Sequence, residues 1–374
     1  MNIAQIGPIW YRIPPIKYGG TELIVHHLTE ELVRRGHQVT LFATGDSVTK
    51  ARLQSFFHHG LFEQGYSFED FSDPLYHTIS VLDNASAFDI LHFHFTSKMD
   101  YVNMALVRNM PNVLFTLHVP LPEKKELLNR KRLLEERLHM IPLVSISNNQ
   151  RAGFQMHFIN TVYNAIDITQ FPYTEAVIDG QILWLSRISY QKGTVETIQT
   201  AKRLNLPLIL VGKVDTNGPH EVDYFDHRVK PLLNGLRGTL YGEINPQEKI
   251  LHYRQAKLFL FPIQWEEPFG LVMIEAMACG TPIVAFARGS VPEVVVDGVT
   301  GFIVNSSDQD VRGNWVVRKT GIDGLCEAVE RIYKMPEDQY RVMRAACRKH
   351  VETHFTVEKM VDGYEQAYRK ILNS

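Results

Sequence analysis

Two glutamates in one segment have the residue type and spacing to bind a ligand rich in hydroxyl groups. The segment QWEEPFGLVMIEAMACGTPIVA, residues 264–285, holds Glu267 in a loop rich in proline and glycine. Glu275 follows after seven intervening residues, in an apolar stretch typical of a buried helix. A buried carboxylate is costly unless hydrogen-bond donors or a cation satisfy it. Glu275 is therefore expected to meet either sugar hydroxyl groups or an Arg or Lys side chain of the protein.

The predicted helix that carries Glu275 also begins with available backbone donors. The residues EEPFGL lead into it, and the N–H groups of Phe269, Gly270 and Leu271 lie at its start, where no helix carbonyl can accept from them. The positive end of the helix dipole favours an anionic or oxygen-rich ligand at this place.

Two cations are predicted at the carboxyl end of another strand. In LSRISYQKG, Arg187 follows an apolar strand, and Lys192 precedes Gly193 and a helix. A two-pronged Arg donor and a Lys point charge together suit a diphosphate. The alternative is that both are solvated surface charges.

A glycine pair lies at the start of the first predicted helix. The loop 7–20 contains three prolines and ends in Gly19 and Gly20, and Thr21 is predicted to cap the helix. Paired glycines let the backbone approach a phosphate, and the alternative is an ordinary turn. No G-x-G-x-x-G follows Ile6 and no P-loop is present, which argues against a dehydrogenase and an NTPase.

Three histidines lie near the ends of two predicted strands. His92 and His94 share one face of the strand LHFHF, and His118 follows the strand that ends in TLH. They are either core or edge histidines, or contacts to substrate oxygens, or part of a zinc site for which the sequence offers no further supported ligand.

Two further motifs are interpreted as solvated surface segments. Asp308-Gln309-Asp310 is similar to the Asp-x-Asp of metal-dependent sugar-nucleotide enzymes but is interpreted as a solvated loop, so no metal site is predicted. The basic stretch 122–139 could meet an anionic acceptor or a membrane surface. Its interspersed glutamates favour a solvated helix.

Length and composition exclude several classes of protein. A chain of 374 residues predicts two domains, and its 45% hydrophobic content allows large cores. A net charge of −2 gives no sign of a nucleic-acid partner, and no apolar run approaches the length of a membrane span. The opening MNIAQIGPIW lacks a basic region, so no signal peptide is expected. The three cysteines fit no metal-site spacing and predict reduced thiols in a cytoplasmic protein.

Strands and helices alternate in two successive sets, which predicts two parallel α/β domains, 1–170 and 171–356. Near-continuous apolar strands suit a sheet that is covered on both faces. The first set is NIAQIGPI, QVTLFAT, DILHFHF, NVLFTLHV and PLVSIS, and the second is GQILWLSRIS, PLILVGK, GTLYGEI, AKLFLFPI, TPIVAF and TGFIV. Asn245 with Glu248 predicts a capping box for a helix at 246–254. Two such domains predict a ligand cleft at the carboxyl ends of the strands.

Together these motifs resemble the retaining glycosyltransferases of family 4. The longest match is the Glu-x7-Glu segment followed by GSVPEVVVDGVTGFIV, and YGGTE, TLH, VYNAID and LSRISYQKG match other family motifs in the right order. The resemblance covers nearly the whole chain. It implies the GT-B architecture, with two Rossmann-like parallel-sheet domains facing across a cleft. Residues 1–170 would form the acceptor side, completed by a C-terminal helix at 357–374 that crosses back to it, and residues 171–356 would bind the nucleotide sugar.

The resemblance also implies roles for the candidate residues. Glu267 would contact donor-sugar hydroxyls, and Glu275 would hold the ribose hydroxyls. His118, Glu267, Arg187 and Lys192 would form the catalytic group. The remaining donor contacts would be Gly19, Gly20, Phe269, Gly270 and Leu271, and the acceptor-side residues would be His94 and Tyr18.

The implied activity is metal-independent transfer of a hexose, with retention, to form an α-linkage. The donor would be UDP-glucose or, as a second choice, GDP-mannose, with no further cofactor, and the acceptor a sugar, a lipid-linked molecule or a small molecule. Lys213 stands where many relatives have an acidic or small residue, so the identity of the nucleotide base is not predicted. A sugar-nucleotide epimerase of the same architecture and a non-catalytic sugar-nucleotide-binding protein are the alternatives. EPFG with Lys192-Gly193 argues against the epimerase.

Overall fold

The chain divides into two compact units, each described by itself. The computed structural model describes residues 1–17, 19–121, 128–176, 180–214 and 219–373. Unit 1 comprises Met1–Ile166 and Val357–Ser374, and unit 2 comprises Asp167–Thr356. The predicted boundary, 170/171, lies a few residues further along the chain.

Unit 1 is built on a seven-stranded parallel sheet. Its strands are β1 (Asn2–Ile6), β2 (Gln38–Phe42), β3 (Arg52–Gln54), β4 (Ile90–Phe95), β5 (Val113–Leu117), β6 (Leu143–Ser145) and β7 (Phe158–Thr161). Their order in the sheet is β3-β2-β1-β4-β5-β6-β7, and every recorded pair is parallel. The five inner strands are the ones that the apolar runs predict. The edge strands β3 and β7 are only partly buried, so they need no continuous apolar run and the sequence did not reveal them.

The described residues of unit 1 form five α-helices. They are α1 (Gly20–Arg34), α2 (Ser72–Leu82), α3 (Asp100–Val107), α4 (Leu128–Arg132), which continues as a π-helical turn at Leu133–Arg137, and the C-terminal helix α13 (Val357–Leu372).

The predicted cap of α1 is wrong, because Gly19 is the N-cap residue and no side chain caps this helix. Gly19 has a φ of 153°, and a Cβ there would lie 2.7 Å from Pro15 Cβ, so the chain enters α1 through a conformation that favours glycine.

Helix α13 packs against α1 and β7 and completes the core of unit 1. Its buried face consists of Met360, Val361, Tyr364, Ala367, Tyr368 and Ile371. The approach to β7 is close: Asn160 Nδ2 donates to the Gly363 carbonyl at 3.0 Å, and a Cβ on Gly363 would lie 2.9 Å from a Val162 methyl group. The predicted crossing of a C-terminal helix onto the first domain corresponds to this packing.

Unit 2 contains a six-stranded parallel sheet in the order β10-β9-β8-β11-β12-β13. Its strands are β8 (Ile182–Leu185), β9 (Leu208–Val211), β10 (Gly238–Tyr241), β11 (Leu258–Phe261), β12 (Ile283–Phe286) and β13 (Gly301–Val304). Its helices are α5 (Thr194–Leu204), α6 (Pro219–Tyr224), α7 (Lys230–Leu233), α8 (Pro246–Gln255), α9 (Leu271–Ala278), α10 (Val291–Val294), α11 (Gly321–Tyr333) and α12 (Glu337–His354). A π-helical turn, Phe225–Val229, joins α6 to α7. The capping box of Asn245 and Glu248 is confirmed.

Both units therefore have the predicted Rossmann-like, parallel α/β construction. Strands β8, β11 and β12 are neighbours in the second sheet, so the loops that follow them start from the same edge. Within the described residues, no helix has the length and apolar character that crossing a membrane would require. All three cysteines are buried free thiols.

Candidate active site

Unit 2 brings Lys192 and Glu267 together as an ion pair. Lys192 Nζ donates to Glu267 Oε2 at 2.6 Å, and Trp265 Nε1 donates to the same oxygen at 2.9 Å. The Lys192 and Glu267 side chains are 13% and 10% exposed, and the ammonium group lies 4.8 Å from the Trp265 ring centroid. Across the described part of the chain, Glu267 Oε1 has no hydrogen-bond partner. Two donors thus orient the carboxylate through one oxygen and leave the other available to a ligand.

The backbone around Gly193 holds this pair in place. Gly193 has a φ of 69° and caps α5, and a Cβ there would overlap the carbonyl oxygen of Pro262. The loop after β8 can therefore pack on the chain after β11 only with glycine at this position. Gln264 N also donates to the Gln191 carbonyl at 2.8 Å. These contacts fix Lys192 against the segment that carries Glu267.

Glu266, next to Glu267, has different partners. The Gly289 amide and Arg312 Nη1 both donate to Glu266 Oε2 at 2.8 Å. Burial acts to raise the pKa of Glu266, but the hydrogen bonds from Arg312 and Gly289 outweigh it and hold the pKa below its usual value. Of the two adjacent glutamates, Glu267 is the one that faces the lysine.

Asp310 belongs to the ion-pair cluster around Glu266. It lies 2.8 Å from Arg288 Nη2 and 2.8 Å from Arg312 Nε. The Asp308–Asp310 motif lies in a loop, as predicted, and the Asp310 side chain is partly exposed although it pairs with two guanidinium groups. Asp308 is exposed and accepts a hydrogen bond from Thr320 at 2.7 Å.

Glu275 is 3% exposed and is satisfied by two side chains of α8. Lys249 Nζ donates to Oε1 at 2.7 Å, and Tyr253 Oη donates to Oε2 at 2.9 Å. Of the two partners expected for this carboxylate, the protein cation is thus present. Each carboxylate oxygen can accept a second hydrogen bond, so two acceptor sites remain for a ligand. Burial and the neighbouring Glu275 raise the pKa of Tyr253 well above its usual value, which keeps that hydroxyl protonated.

The turn before α9 is formed by Phe269 and Gly270. Phe269 is buried against the Phe355 ring at a centroid distance of 5.8 Å, and its carbonyl accepts from Ser290 Oγ at 2.7 Å. Gly270 has a φ of 78°, and a Cβ there would lie 2.9 Å from Met273 Cε. Leu271 starts the helix, so its N–H has no acceptor within α9.

The second predicted cation, Arg187, is half-buried in the loop that also carries Lys192. Both residues therefore lie between β8 and α5, at the carboxyl end of a central strand. Lys213, the residue because of which the sequence does not predict the nucleotide base, follows β9. Its Nζ lies 3.8 Å from Glu243 Oε1 on the surface.

In unit 1, Gly19 and Gly20 form the entrance to α1, while Tyr18 lies outside the described residues. The structure adds Glu22, a carboxylate in the first turn of α1 that is buried. Burial raises the pKa of Glu22 to about 7. Glu22 belongs to the YGGTE motif, but its local sequence gives no sign of this burial.

His94, which is buried, and His118, which is partly exposed, are joined in a chain of hydrogen bonds in unit 1. His118 Nε2 lies 2.9 Å from His94 Nδ1, and His94 Nε2 lies 2.9 Å from Gln5 Oε1. Gln5 Nε2 donates to the Tyr368 hydroxyl at 2.9 Å. Since Gln5 Oε1 is an acceptor, His94 carries its proton on Nε2, and His118 must donate from Nε2. The remaining nitrogen of His118, Nδ1, is therefore an acceptor.

The same chain continues from Tyr368 to His92. The Tyr368 hydroxyl lies 2.8 Å from His92 Nδ1, and His92 Nε2 lies 2.8 Å from Thr116 Oγ1, which donates to the Tyr364 hydroxyl at 3.1 Å. Tyrosines of α13 thus contact side chains of β4 and β5. Protein groups occupy both ring nitrogens of His92, which leaves neither for zinc.

Burial keeps these histidines neutral. It lowers the pKa of His118 to about 3. It also lowers the pKa values of His92 and His94 well below the usual range, with a further contribution from the neighbouring imidazoles. At neutral pH each ring therefore has one donor and one acceptor, as the chain of hydrogen bonds requires.

The described residues contain one group with metal-ligand spacing. Asp46, His59 and Glu63 place ligand atoms within 4.8 Å of one another on the surface of unit 1. The group includes none of the residues predicted for the active site.

Comparisons with known proteins assign the class. The family model "Glycosyltransferase Family 4" matches residues 18–170, and "Glycosyl transferases group 1" matches residues 167–346. O-antigen chain mannosyltransferase C of Escherichia coli is 24% identical over 396 aligned residues, covering all of both chains.

Solved structures of glycosyltransferases share the fold over the full length. Sucrose-phosphate synthase from Thermosynechococcus elongatus superimposes with a TM-score of 0.78 at 20% identity, covering 100% of this chain and 99% of that one. HepE from Anabaena, in complex with UDP and glucose, gives 0.70 at 16% identity, covering 99% and 100%.

The parallel sheets and the paired glutamates thus define a glycosyltransferase of the GT-B class. The chain belongs to the family 4 glycosyltransferases.

Proposed function

We propose that this protein is a retaining hexosyltransferase that uses a nucleotide-diphosphate sugar. The donor is UDP-glucose or, as a second choice, GDP-mannose, and the product is an α-glycoside of an acceptor hydroxyl. HepE was crystallised with UDP and glucose, and the Escherichia coli relative is a mannosyltransferase. The buried free thiols fit a reducing, cytoplasmic location.

The observation that carries the proposal is the placement of two carboxylates, each held by a lysine and an aromatic donor. Glu267 is held by Lys192 and Trp265, and Glu275 by Lys249 and Tyr253. Such oriented acceptors suit vicinal hydroxyl groups, which occur on both the sugar and the ribose of a nucleotide sugar. Glu267 would bind the sugar, and Glu275 the ribose.

The cations would stabilise the leaving group. Breaking the bond between C1 of the sugar and the phosphate oxygen develops negative charge on the diphosphate, which Lys192, Arg187 and the N–H of Leu271 would meet. Fixed donors of this kind need no reorganisation during the reaction, and each is worth roughly 3–4 kcal/mol in the transition state. No metal or further cofactor is then needed.

Transfer with retention requires the acceptor to arrive on the face from which the nucleotide leaves. The acceptor oxygen bonds to C1 as the C1–O bond to phosphate breaks, and a phosphate oxygen takes the acceptor proton. His118 Nδ1, the acceptor end of its hydrogen-bond chain, would receive a hydroxyl of the donor sugar.

A thermal-shift panel of UDP, GDP and ADP and their glucose, mannose and N-acetylglucosamine conjugates tests the donor. A ligand at about 100 times its Kd adds about 2.7 kcal/mol of stability. We expect UDP and UDP-glucose to raise the Tm. Stabilisation by no nucleotide would contradict the proposal. Binding without turnover of the donor, in the presence or absence of acceptors, would favour the non-catalytic alternative.

A further inference from the structure

A small cavity lies in unit 1 at the carboxyl ends of β1 and β4. It has a volume of about 40 Å³, and its walls come from the loop after β1, from α2, and from the start of α3. One water molecule needs roughly 10–15 Å³ by this measure, so the cavity has room for about three. A hydroxymethyl arm or one edge of a sugar ring has a similar size.

His77, on α2, is the unexplained group of this cavity. Its side chain is 3% exposed, and among the described residues neither ring nitrogen has a hydrogen-bond partner. Burial lowers the pKa of His77 to about 4, so the ring is neutral and carries one donor and one acceptor. A buried polar group without a partner is costly. Hydroxyl groups can accept from one nitrogen and donate to the other.

The remaining polar wall is already satisfied by the protein. Asp100 accepts from the backbone amides of Thr96 and Ser97 at 2.7 and 2.8 Å and from Asn103 Nδ2 at 3.0 Å. Asn103 in turn accepts from Thr78 at 2.9 Å. No Lys or Arg is among the described residues that line the cavity. A phosphate or carboxylate would meet the Asp100 carboxyl group without a compensating cation, so the cavity suits an uncharged ligand.

The other wall is apolar. Trp10 is buried and stacks on Phe62 at a centroid distance of 5.1 Å, and Phe93 and Met99 complete the surface. A sugar offers both an apolar face of C–H groups and a polar edge, which matches a cavity with one apolar and one polar wall.

His94 also lines the cavity, and it is hydrogen-bonded to His118. The cavity is therefore directly connected to the histidine that we propose for the donor sugar. We propose that this cavity anchors an uncharged, hydroxyl-bearing edge of the acceptor, a sugar or a polyol, with His77 as its hydrogen-bonding residue. This proposal rests on the proposed transferase function, and it narrows the acceptor to a neutral carbohydrate at this position.

The test is NMR of the full-length protein with ring-labelled histidine. Glucose, mannose and glycerol are the neutral probes, and inorganic phosphate is the anionic probe. We expect the neutral probes to shift the His77 ring signals and phosphate to leave them unchanged. His77→Phe, which fills the cavity, should weaken sugar binding by at least about tenfold, whereas His77→Gln, which keeps one donor and one acceptor, should retain it.

The matched control is His26→Phe. His26 lies on α1, its Nδ1 also lacks a partner among the described residues, and it does not line the cavity. This variant should bind the neutral probes like the wild type. Wild-type His77 signals that no neutral probe shifts, a response to phosphate, or equal sugar binding by His77→Phe would each overturn the proposal. The response of the wild-type His77 ring signals to the probes tests the proposal even if His77→Phe does not fold.

UDP-glucose binding is measured on the same samples. Donor binding without a response at His77 would overturn the acceptor site and leave the proposed function intact. A sugar response at His77 without binding of any nucleotide would support the site but contradict the transferase function on which its role depends.

Discussion

His118 Nε2 lies 2.9 Å from His94 Nδ1, and this hydrogen bond is one end of a chain that passes through Tyr368 of the C-terminal helix. Gln5 lies between His94 and Tyr368, and the orientation of its amide sets which nitrogen of His94 and of His118 carries the proton. A helix residue distant in sequence thus determines which atom His118 offers to a ligand.

Tyr368→Phe should therefore change the tautomer of His118. The substitution removes the acceptor of Gln5 Nε2 and the donor to His92, and leaving such buried groups unpaired costs about 1–3 kcal/mol. We expect a lower kcat with a KM for the donor within about twofold of the wild type. The reason is that the His118 ring stays in place while its proton is no longer confined to Nε2. The ring 15N chemical shifts of His118 should show the Nε2-protonated tautomer in the wild type. In the variant they should show a mixture of the Nε2-protonated and Nδ1-protonated tautomers.

Tyr364→Phe is the control for that experiment. Tyr364 accepts from Thr116 at the other end of the chain, so its loss should reduce stability without altering His118. An unchanged His118 tautomer in Tyr368→Phe would contradict the relay.

Glu267→Gln and Glu266→Gln should have different effects. Glu267→Gln removes the negative partner of Lys192, and we expect kcat to fall by about 10²–10³ while UDP affinity changes little. Glu266→Gln weakens the ion pairs with Arg312 and Arg288, so it should lower Tm more than kcat. Steady-state kinetics and thermal unfolding of both variants decide between them, and the reverse pattern would assign the sugar contact to Glu266.

Glu275→Gln should weaken nucleotide binding. A hydrogen bond to a charged group contributes about 1.5–3 kcal/mol, so UDP affinity should fall by roughly 10–100-fold. Tyr253→Phe keeps the carboxylate and its contact with Lys249, and it should cost much less affinity. Calorimetric titration with UDP measures both. Equal UDP affinity in Glu275→Gln and the wild type would restrict Glu275 to its ion pair.

Stability should decrease as the pH falls from 6.5 towards 4. The folded protein holds the pKa of His77 near 4 and that of His118 near 3, so the unfolded chain binds protons first. Each such histidine contributes a slope of about 1.4 kcal/mol per pH unit in this window. The pKa of Glu22, raised to about 7, acts in the opposite sense, because its contribution is complete below about 4.5 and is lost as the pH rises through 7.

Urea unfolding at pH 7, 6 and 5 measures this slope. His77→Gln should flatten it and Glu22→Gln should steepen it, since one removes a histidine and the other removes an opposing carboxyl group. The same slope in all three proteins would show that these groups titrate alike in the folded and unfolded chains.

Removal of divalent metal should leave transfer activity unchanged. Lys192 and Arg187 supply the positive charge proposed for the diphosphate, and Arg288 and Arg312 already neutralise Asp310. The measurement is turnover in EDTA against turnover in Mg²⁺ or Mn²⁺. A loss in EDTA that either ion restores would refute the metal-independent mechanism.

The sequence predicted the inner strands and the C-terminal helix because both have local signals. Buried parallel strands are apolar throughout, and α13 has an apolar face at helical spacing. The capping box is likewise contained within four residues. Strands β3 and β7 were missed because edge strands are short and partly exposed.

Partners of the site residues were harder to predict. The Glu-x7-Glu spacing identified Glu267 and Glu275 as candidate ligand-binding residues. Nothing near Lys249 or Trp265 in the sequence indicates that these two side chains would hold the carboxylates. The contact between Gln5 and Tyr368 joins opposite ends of the chain. Such pairs follow from the packing of whole elements, and no pattern within one element encodes them.

The position of α13 has a consequence for synthesis on the ribosome. Gln5, His92 and Thr116 emerge early, but the tyrosines that satisfy them are translated after the whole of unit 2. Until α13 has been translated, these side chains of the first sheet lack both their tyrosine partners and the helix that covers them. Unit 1 can therefore complete its core only after unit 2 has been synthesised, although the N-terminal domain of a nascent chain usually folds first.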